Sequence, residues 1–242
     1  VRIYGSNRGV GIFQRRKGNM ENMLFSNMII DTRLYPGQWW GHGEPIHISA
    51  LPGLGSKEVG TISNIRFSNI IASGEEGILL YGSEESVLRD IRFDHVQLSI
   101  RRGALTDYYA GNFDLRATTD PKLAIFKHDI PAIYARHVNG LTLRDVDVRW
   151  DSSLPDYFTN AISCDYFQQL TIDGFSGSAG PQAAAAGAVI ALSEGRDALI
   201  RNLRGGSITE NSLNSGKLIR RVNWLSQKNI SDLKFFPPAN GK

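Results

Sequence analysis

A short strand-like pattern recurs along the chain and limits the possible folds more than any other feature. Each copy has a first residue that is usually apolar, any residue, Phe or an aliphatic residue, any residue, usually Asn or Asp, and an apolar residue. The third place of the pattern is taken by Phe25, Phe67, Phe93, Leu143, Ile172, Ile200 and Ile230. By subtraction, the intervals are 42, 26, 50, 29, 28 and 30 residues, so the two long ones contain insertions.

A repeat of this length fits a leucine-rich repeat, a helical pair or one turn of a β-solenoid. Apolar and polar residues alternate within each copy, which is the period of a strand and not of a helix. The Leu-x-x-Leu-x-Leu spacing is absent, and the Gly, Asn and β-branched content disfavours helices. The sequence therefore predicts an all-β fold, a single-stranded parallel β-helix, as one domain over residues 1–242 with long insertions at about 31–62 and 101–130.

The Asn or Asp of the pattern predicts a sharp corner in each turn of the β-helix. Asn, Asp and Gly tolerate the left-handed backbone conformation that such a corner needs. The equivalent position holds Asn or Asp in five copies, with two exceptions, His95 and Gly174; the five are Asn27, Asn69, Asp145, Asn202 and Asp232.

Six further strand-like segments accompany the copies, at residues 1–5, 44–50, 77–82, 131–137, 160–166 and 188–194. Stacked turn on turn, these segments are predicted to form one parallel sheet with a polar and aromatic outer row. Such a row suits contact with a sugar chain, because aromatic rings and polar groups alternate along it. The predicted outer residues are Arg2, Tyr4, His47, Ser49, Tyr81, Tyr134 and Arg136.

Composition excludes several classes of function. The net charge is only +3 and the basic clusters are scattered, so no nucleic-acid partner is predicted. No apolar run approaches the ~18 residues of a membrane span. The single cysteine, Cys164, cannot form an internal disulfide and is predicted to be buried. The five histidines have no ligand spacing, so neither a metal site nor a cofactor is predicted.

Three segments near the start resemble one enzyme family. Arg2-Ile3-Tyr4, Gly9-Val10-Gly11 and the stretch 22–28 are similar to the later part of polygalacturonase-type enzymes, glycoside hydrolase family 28. The resemblance implies a right-handed parallel β-helix that hydrolyses pectin-type polysaccharide and is secreted or periplasmic. In that family the catalytic aspartates precede the Arg-Ile-Lys strand, so the chain would be a C-terminal portion lacking the N-terminal coils.

The Gly41-His42-Gly43 tripeptide also occurs in that family, but there it precedes the Arg-Ile-Lys strand, whereas here it follows Arg2. His42 is therefore not equated with the family's catalytic histidine and is predicted only to help bind substrate, together with Trp39 and Trp40. Tyr4 stands where the family has lysine. Glu44 is the first candidate for a catalytic acid within the chain, because it opens the predicted outer strand beside His47, and Asp31 and Asp165 are the alternatives.

Two function classes remain open. The first is the C-terminal part of a glycoside hydrolase that binds an acidic or branched polysaccharide but by itself hydrolyses it poorly. The second is a non-catalytic carbohydrate-binding or structural β-helix; a polysaccharide lyase has the least support. Self-association through the first turn, at residues 1–5, is a further expectation, since solenoid ends normally need caps.

Overall fold

The computed structural model describes residues 1–36, 42–108, 111–182, 188–204, 208–211, 219–224 and 234–235, and in them the protein is all-β. The only helical segments in these residues are a 3-10 turn, Thr106–Tyr108, and a four-residue helix α1, Pro121–Ala124. Neither is long and apolar enough to cross a membrane.

Seventeen strands lie in the described residues. The first nine are β1 Arg2–Ser6, β2 Val10–Gln14, β3 Met20–Thr32, β4 Ile46–Ala50, β5 Ile62–Gly74, β6 Ile78–Tyr81, β7 Leu88–Ile100, β8 Asn112–Asp114 and β9 Ile125–Lys127. The others are β10 Ile133–Asn139, β11 Thr142–Trp150, β12 Ile162–Asp173, β13 Ile190–Ser193, β14 Arg196–Leu203, β15 Ile208–Asn211, β16 Ile219–Trp224 and β17 Lys234–Phe235.

The repeated pattern forms a first stack of parallel strands, in the order β3, β5, β7, β11, β12, β14 and β16. Its reference residues are in register, as predicted: Phe25 lies opposite Phe67, and Phe67 opposite Phe93. Their rings stack with centroids 4.9 and 4.8 Å apart. The seventh reference residue was predicted wrongly, because Val222 lies opposite Ile200, whereas Ile230 lies outside the described residues.

The second segments form a second parallel stack, in the order β2, β4, β6, β10, β12, β13, β15 and β17. Strand β12 belongs to both stacks: Ile162 pairs with β10, and Thr171 pairs with β11. The inward aliphatic residues of the two stacks meet in one core, and Cys164 is buried within it. Burial raises the pKa of the Cys164 thiol, so it stays protonated.

The predicted corners are present. Asn27, Asn69, His95, Asp145, Gly174 and Asn202 all have a positive φ, between 49° and 77°. His95 and Gly174, the two exceptions to the Asn or Asp pattern, thus adopt the same left-handed conformation. The side-chain amide of Asn69 donates a hydrogen bond to Asn27 Oδ1 at 3.2 Å, so neighbouring corners also stabilise one another. Asp232 lies outside the described residues.

Candidate functional site

The predicted outer row is divided between the two stacks. Strand β1 pairs with β3, with Arg2 opposite Ile29, whereas the strand that pairs with β4 is β2. Arg2 and Tyr4 therefore do not continue the row of His47, and their predicted place was wrong. The cause is that residues 1–5 and 10–14 both alternate, and alternation does not tell which stack a strand joins. Both side chains are exposed, with Arg2 Cζ 5.4 Å from the centre of the Tyr4 ring.

The remaining predicted row is covered by the second insertion. His47, Tyr81 and Tyr134 are almost fully buried. Phe113, on β8 of the insertion, stacks on Tyr134 at 5.6 Å, and Phe126, on β9, meets the edge of Tyr81 at 5.4 Å. The prediction of an open sugar-binding face here was therefore wrong, because the insertion packs over the face instead of standing beside it.

Glu44 lies in a closed ionic network under this cover. Arg8 Nη2 donates to Glu44 Oε1 at 3.0 Å, and the backbone N–H of His42 donates to Oε2 at 2.7 Å. Burial alone would raise the pKa of Glu44, but Arg8 and the His47 ring outweigh it and hold that pKa well below its usual range. A buried carboxyl that stays ionised cannot donate a proton at neutral pH. The structure thus argues against Glu44 as the catalytic acid.

His47 continues the network as a neutral ring. Burial lowers its pKa to about 4, although Glu44 opposes the shift. Nδ1 lies 3.1 Å from Glu44 Oε1 and Nε2 lies 3.0 Å from the Ser49 hydroxyl. Since an ionised carboxylate only accepts, Nδ1 carries the proton and Nε2 accepts from Ser49. Arg15 in turn donates to Ser49 Oγ at 2.8 Å, which completes a continuous chain of hydrogen bonds.

Glu76 is a neighbour of Glu44 that the sequence interpretation missed. His47 of β4 lies opposite Leu79 of β6, so Glu44 and Glu76, each three residues earlier, start adjacent turns. Glu76 is buried, and its Oε2 atom has no hydrogen-bond partner among the described residues. Burial, with the charge of Glu44, raises its pKa well above the usual range. The available signal was an acid two residues before a short strand, which is the same spacing as that of Glu44 before β4.

The side chain of His42, in the first insertion, contacts two residues of the second insertion. Its Nδ1 atom lies 3.2 Å from Asn112 Oδ1, and its Nε2 atom lies 3.8 Å from Asp114 Oδ2. The ring is nearly buried, so the predicted contact of His42 with substrate has no open surface in this structure. Trp39 and Trp40, the other predicted binding residues of the segment, lie outside the described residues.

An open pocket lies beside this buried network, and it is the candidate site. Its volume is about 320 Å³, and it is lined by Tyr4, Gly5, Asp31, Arg33, Glu75, Arg101 and Arg102. Asp31 is the second-last residue of the long strand β3, Glu75 follows β5, and the two arginines at 101 and 102 follow β7, so successive turns of the first stack supply the lining. Tyr4 and Asp31 were noted in the sequence; the arginines and Glu75 were not placed there.

Hydrogen bonds fix the two carboxylates of the pocket. Arg101 Nη2 donates to Asp31 Oδ1 at 3.0 Å and to the carbonyl oxygen of Thr32 at 3.0 Å. The N–H of Gly5 also donates to Asp31 Oδ1, at 3.3 Å. Glu75 Oε2 accepts from the N–H of Leu34 at 2.9 Å. A Cβ at position 103 would lie 2.2 Å from Glu75 Oε1, so a side chain there would displace the Glu75 carboxylate.

Three guanidinium groups, of Arg33, Arg101 and Arg102, line the pocket together with two carboxylates, of Asp31 and Glu75. Arg101 is paired with Asp31, and Arg102 is paired with Asp107 outside the lining, whereas the side chain of Arg33 is exposed to a ligand. The hydrogen bond from Arg33 Nε to the Tyr35 hydroxyl, at 2.7 Å, raises the pKa of Arg33 further, so its charge is permanent. The described residues contain no group of three or more potential metal ligands, and the pocket fits an organic anion better than a cation.

No protein-family model matches the sequence, and no curated protein is similar enough to count as a relative. Among solved structures, the chain is similar to a provisionally named glycosyl hydrolase from Parabacteroides merdae. The two share 10% identity with a TM-score of 0.36, over 82% of this chain and 79% of the other. A likeness of this size carries no argument about function.

Proposed function

We propose that the chain is a carbohydrate-active right-handed parallel β-helix whose open pocket binds an acidic, pectin-type saccharide and hydrolyses its glycosidic bond. The observation that carries the proposal is the combination of three arginines and two carboxylates in one open pocket. On this proposal the protein acts where such polysaccharides are found, outside the cell or in the periplasm.

Arginine is the side chain best suited to bind a sugar carboxylate. Its planar fork presents two parallel N–H groups that match both carboxylate oxygens. Arg33 is exposed and donates to Tyr35 through Nε, whereas Arg101 donates to Asp31 and Thr32, and Arg102 donates to Asp107 and to the carbonyl oxygen of Ser153. The carboxylate of the sugar would therefore bind at Arg33. Tyr4, 75% exposed at the rim, offers an apolar ring face to the sugar ring.

Hydrolysis of a glycosidic bond needs an acid for the leaving oxygen and a second carboxyl group for the water or the sugar. Asp31 accepts hydrogen bonds from Arg101 and Gly5, and these suit a residue that acts as the base. Glu75 accepts one backbone hydrogen bond, at Oε2, which leaves Oε1 to protonate the leaving oxygen. The pocket thus contains a candidate for each role.

A second candidate function is binding without hydrolysis. It is favoured by the contacts of Asp31 Oδ1, which already accepts from both Arg101 and Gly5, and by the closure of the Glu44 network. In that case the pocket would hold the acidic sugar as a recognition site, and both carboxylates would only position the arginines.

The test measures binding and cleavage separately, with galacturonate oligomers as ligand. Calorimetry should show binding that is lost in Arg33→Gln, and mass spectrometry should show cleavage that falls at least about 100-fold in Glu75→Gln while binding is kept. Glu84→Gln, at an exposed carboxyl outside the pocket, is the matched control. Binding without cleavage would support the second function. Absence of binding by the parent protein would overturn both.

A further inference from the structure

A larger groove lies on later turns of the chain. It has a volume of about 660 Å³, and none of its lining residues lines the pocket of the proposed function. One row of its residues is in register across four turns: Asn139 lies opposite Arg89 and Gln168, and Gln168 lies opposite Arg196. Adjacent strands are about 4.8 Å apart, so this polar row extends for about 14 Å.

Tyr166 lies beside the polar row as a fixed aromatic surface. It is 44% exposed and lies at a corner of the chain, with a φ of 50°. Its ring is nearly parallel to that of His137, at 4.8 Å, and Arg136 Cζ is 4.6 Å from its centre. Both partners come from the preceding turn and hold the ring in one orientation.

The following turn contributes Gly195 to the groove. A Cβ at this position would lie 2.2 Å from the ring of Phe167, which also lines the groove. Any other residue would therefore collide with Phe167 or displace it, so glycine at this position preserves the lining.

We propose that this groove binds a neutral linear oligosaccharide. The ring of Tyr166 would stack on a sugar face, and the row of Arg89, Asn139, Gln168 and Arg196 would hydrogen-bond to hydroxyl groups. The inference extends the proposed function, since it needs only carbohydrate binding and no hydrolysis.

The polar row presents both donors and acceptors. Its two arginines, Arg89 and Arg196, lie at its ends, and Arg196 Nη2 donates to Gln168 Oε1 at 2.8 Å. Between them lie the neutral amides of Asn139 and Gln168, which donate and accept as sugar hydroxyl groups do, whereas a carboxylate only accepts. A polar ligand without charge therefore fits the centre of the groove better than an acidic one. An extended peptide fits poorly, because β7, β10 and β12 pair on both sides and offer no free strand edge.

The experiment titrates the full chain with neutral hexaoses (galacto-, arabino-, xylo- and manno-) and follows binding by calorimetry and ligand-observed NMR. We expect at least one hexaose to bind. Tyr166→Ala should weaken its binding about tenfold, and Tyr166→Phe should bind it as the parent does. Gln168→Ala should also weaken hexaose binding, and this substitution, unlike Tyr166→Ala, does not alter a corner residue with a positive φ. Tyr108→Ala, at a highly exposed tyrosine that does not line the groove, is the control.

The pocket variant Arg33→Gln separates the two sites, since it should lose galacturonate binding and keep hexaose binding. The inference is overturned if no neutral hexaose binds the parent, or if Tyr166→Ala and Gln168→Ala bind as the parent does. It is also overturned if Tyr166→Ala loses galacturonate oligomers instead, because the groove would then recognise an acidic saccharide.

Discussion

At the scale of single residues, Glu44 and Glu76 are two buried glutamates on adjacent turns, and the first is ionised whereas the second is protonated. Glu44 is held ionised by Arg8 and His47, whereas burial and the charge of Glu44 keep Glu76 protonated. Neighbouring carboxyl groups with pKa values driven apart are typical of acid–base sites. Both side chains are closed to solvent here, so the difference between their pKa values affects the stability of the fold and the dependence of that stability on pH.

Removing the charge of Glu44 should strongly destabilise the fold. In Glu44→Gln, Arg8 keeps a buried charge without its partner, and breaking such a pair costs about 3–5 kcal/mol. Urea denaturation at pH 7 would measure the loss. Glu58→Gln is the matched control, because the Lys17–Glu58 pair is exposed and such pairs contribute little. Equal stability of the two variants would show that the network does not stabilise the protein.

Glu76→Gln should make stability less dependent on pH on the alkaline side. A carboxyl whose pKa is higher in the folded than in the unfolded state contributes stability below its ordinary pKa of 4.5 and loses it as pH rises toward the folded value. Glutamine resembles the protonated acid and does not titrate. Parent and variant should therefore be similarly stable near pH 4, with the variant more stable at pH 8. Denaturation curves that stay parallel across this range would contradict the assignment.

At the scale of elements, the second insertion decides which surface is open. Its boundaries at about 101–130 follow from the long interval between repeats, but alternation in β4, β6 and β10 identifies only the outward side chains. Whether that face meets water depends on where β8 and β9 pack, through Phe113 and Phe126. These are long-range contacts without a local signal. For the same reason the sequence indicated Glu44, on the covered face, and not Glu75, in the open pocket.

Phe113→Ala should uncover this face. The ring is fully buried and stacked on Tyr134, so its loss should cost about 3–5 kcal/mol and loosen the insertion. Hydroxyl-radical footprinting should show Tyr134 and His47 protected in the parent and modified in the variant. Phe25→Ala, which removes a ring from the first stack away from the insertion, should leave both protected. Protection of Tyr134 in Phe113→Ala would mean that other contacts hold the cover.

At the scale of the whole molecule, each turn contacts mainly the turns before and after it. The repeat predicted this first stack well, with Phe25, Phe67, Phe93, Leu143, Ile172 and Ile200 in one register. It failed at the next turn, where Val222 of β16 lies opposite Ile200 but the register then shifts. Asn223 lies opposite Arg201 and Trp224 opposite Leu203, so the paired residues of β16 skip the corner residue Asn202. The pattern depended on an Asn or Asp at the corner and therefore selected the segment around Asp232.

Because contacts run between neighbouring turns, damage to one turn should spread over a short distance only. Ile200 is fully buried in β14, between β12 and β16, and Phe67 is fully buried in β5, between β3 and β7. Ile200→Ala should speed amide hydrogen exchange in β12, β14 and β16 and leave β3 and β5 slow. Phe67→Ala should do the reverse, although each removes several kcal/mol of packing. Exchange that accelerates equally in both regions for both variants would show that the stacks unfold as one cooperative unit.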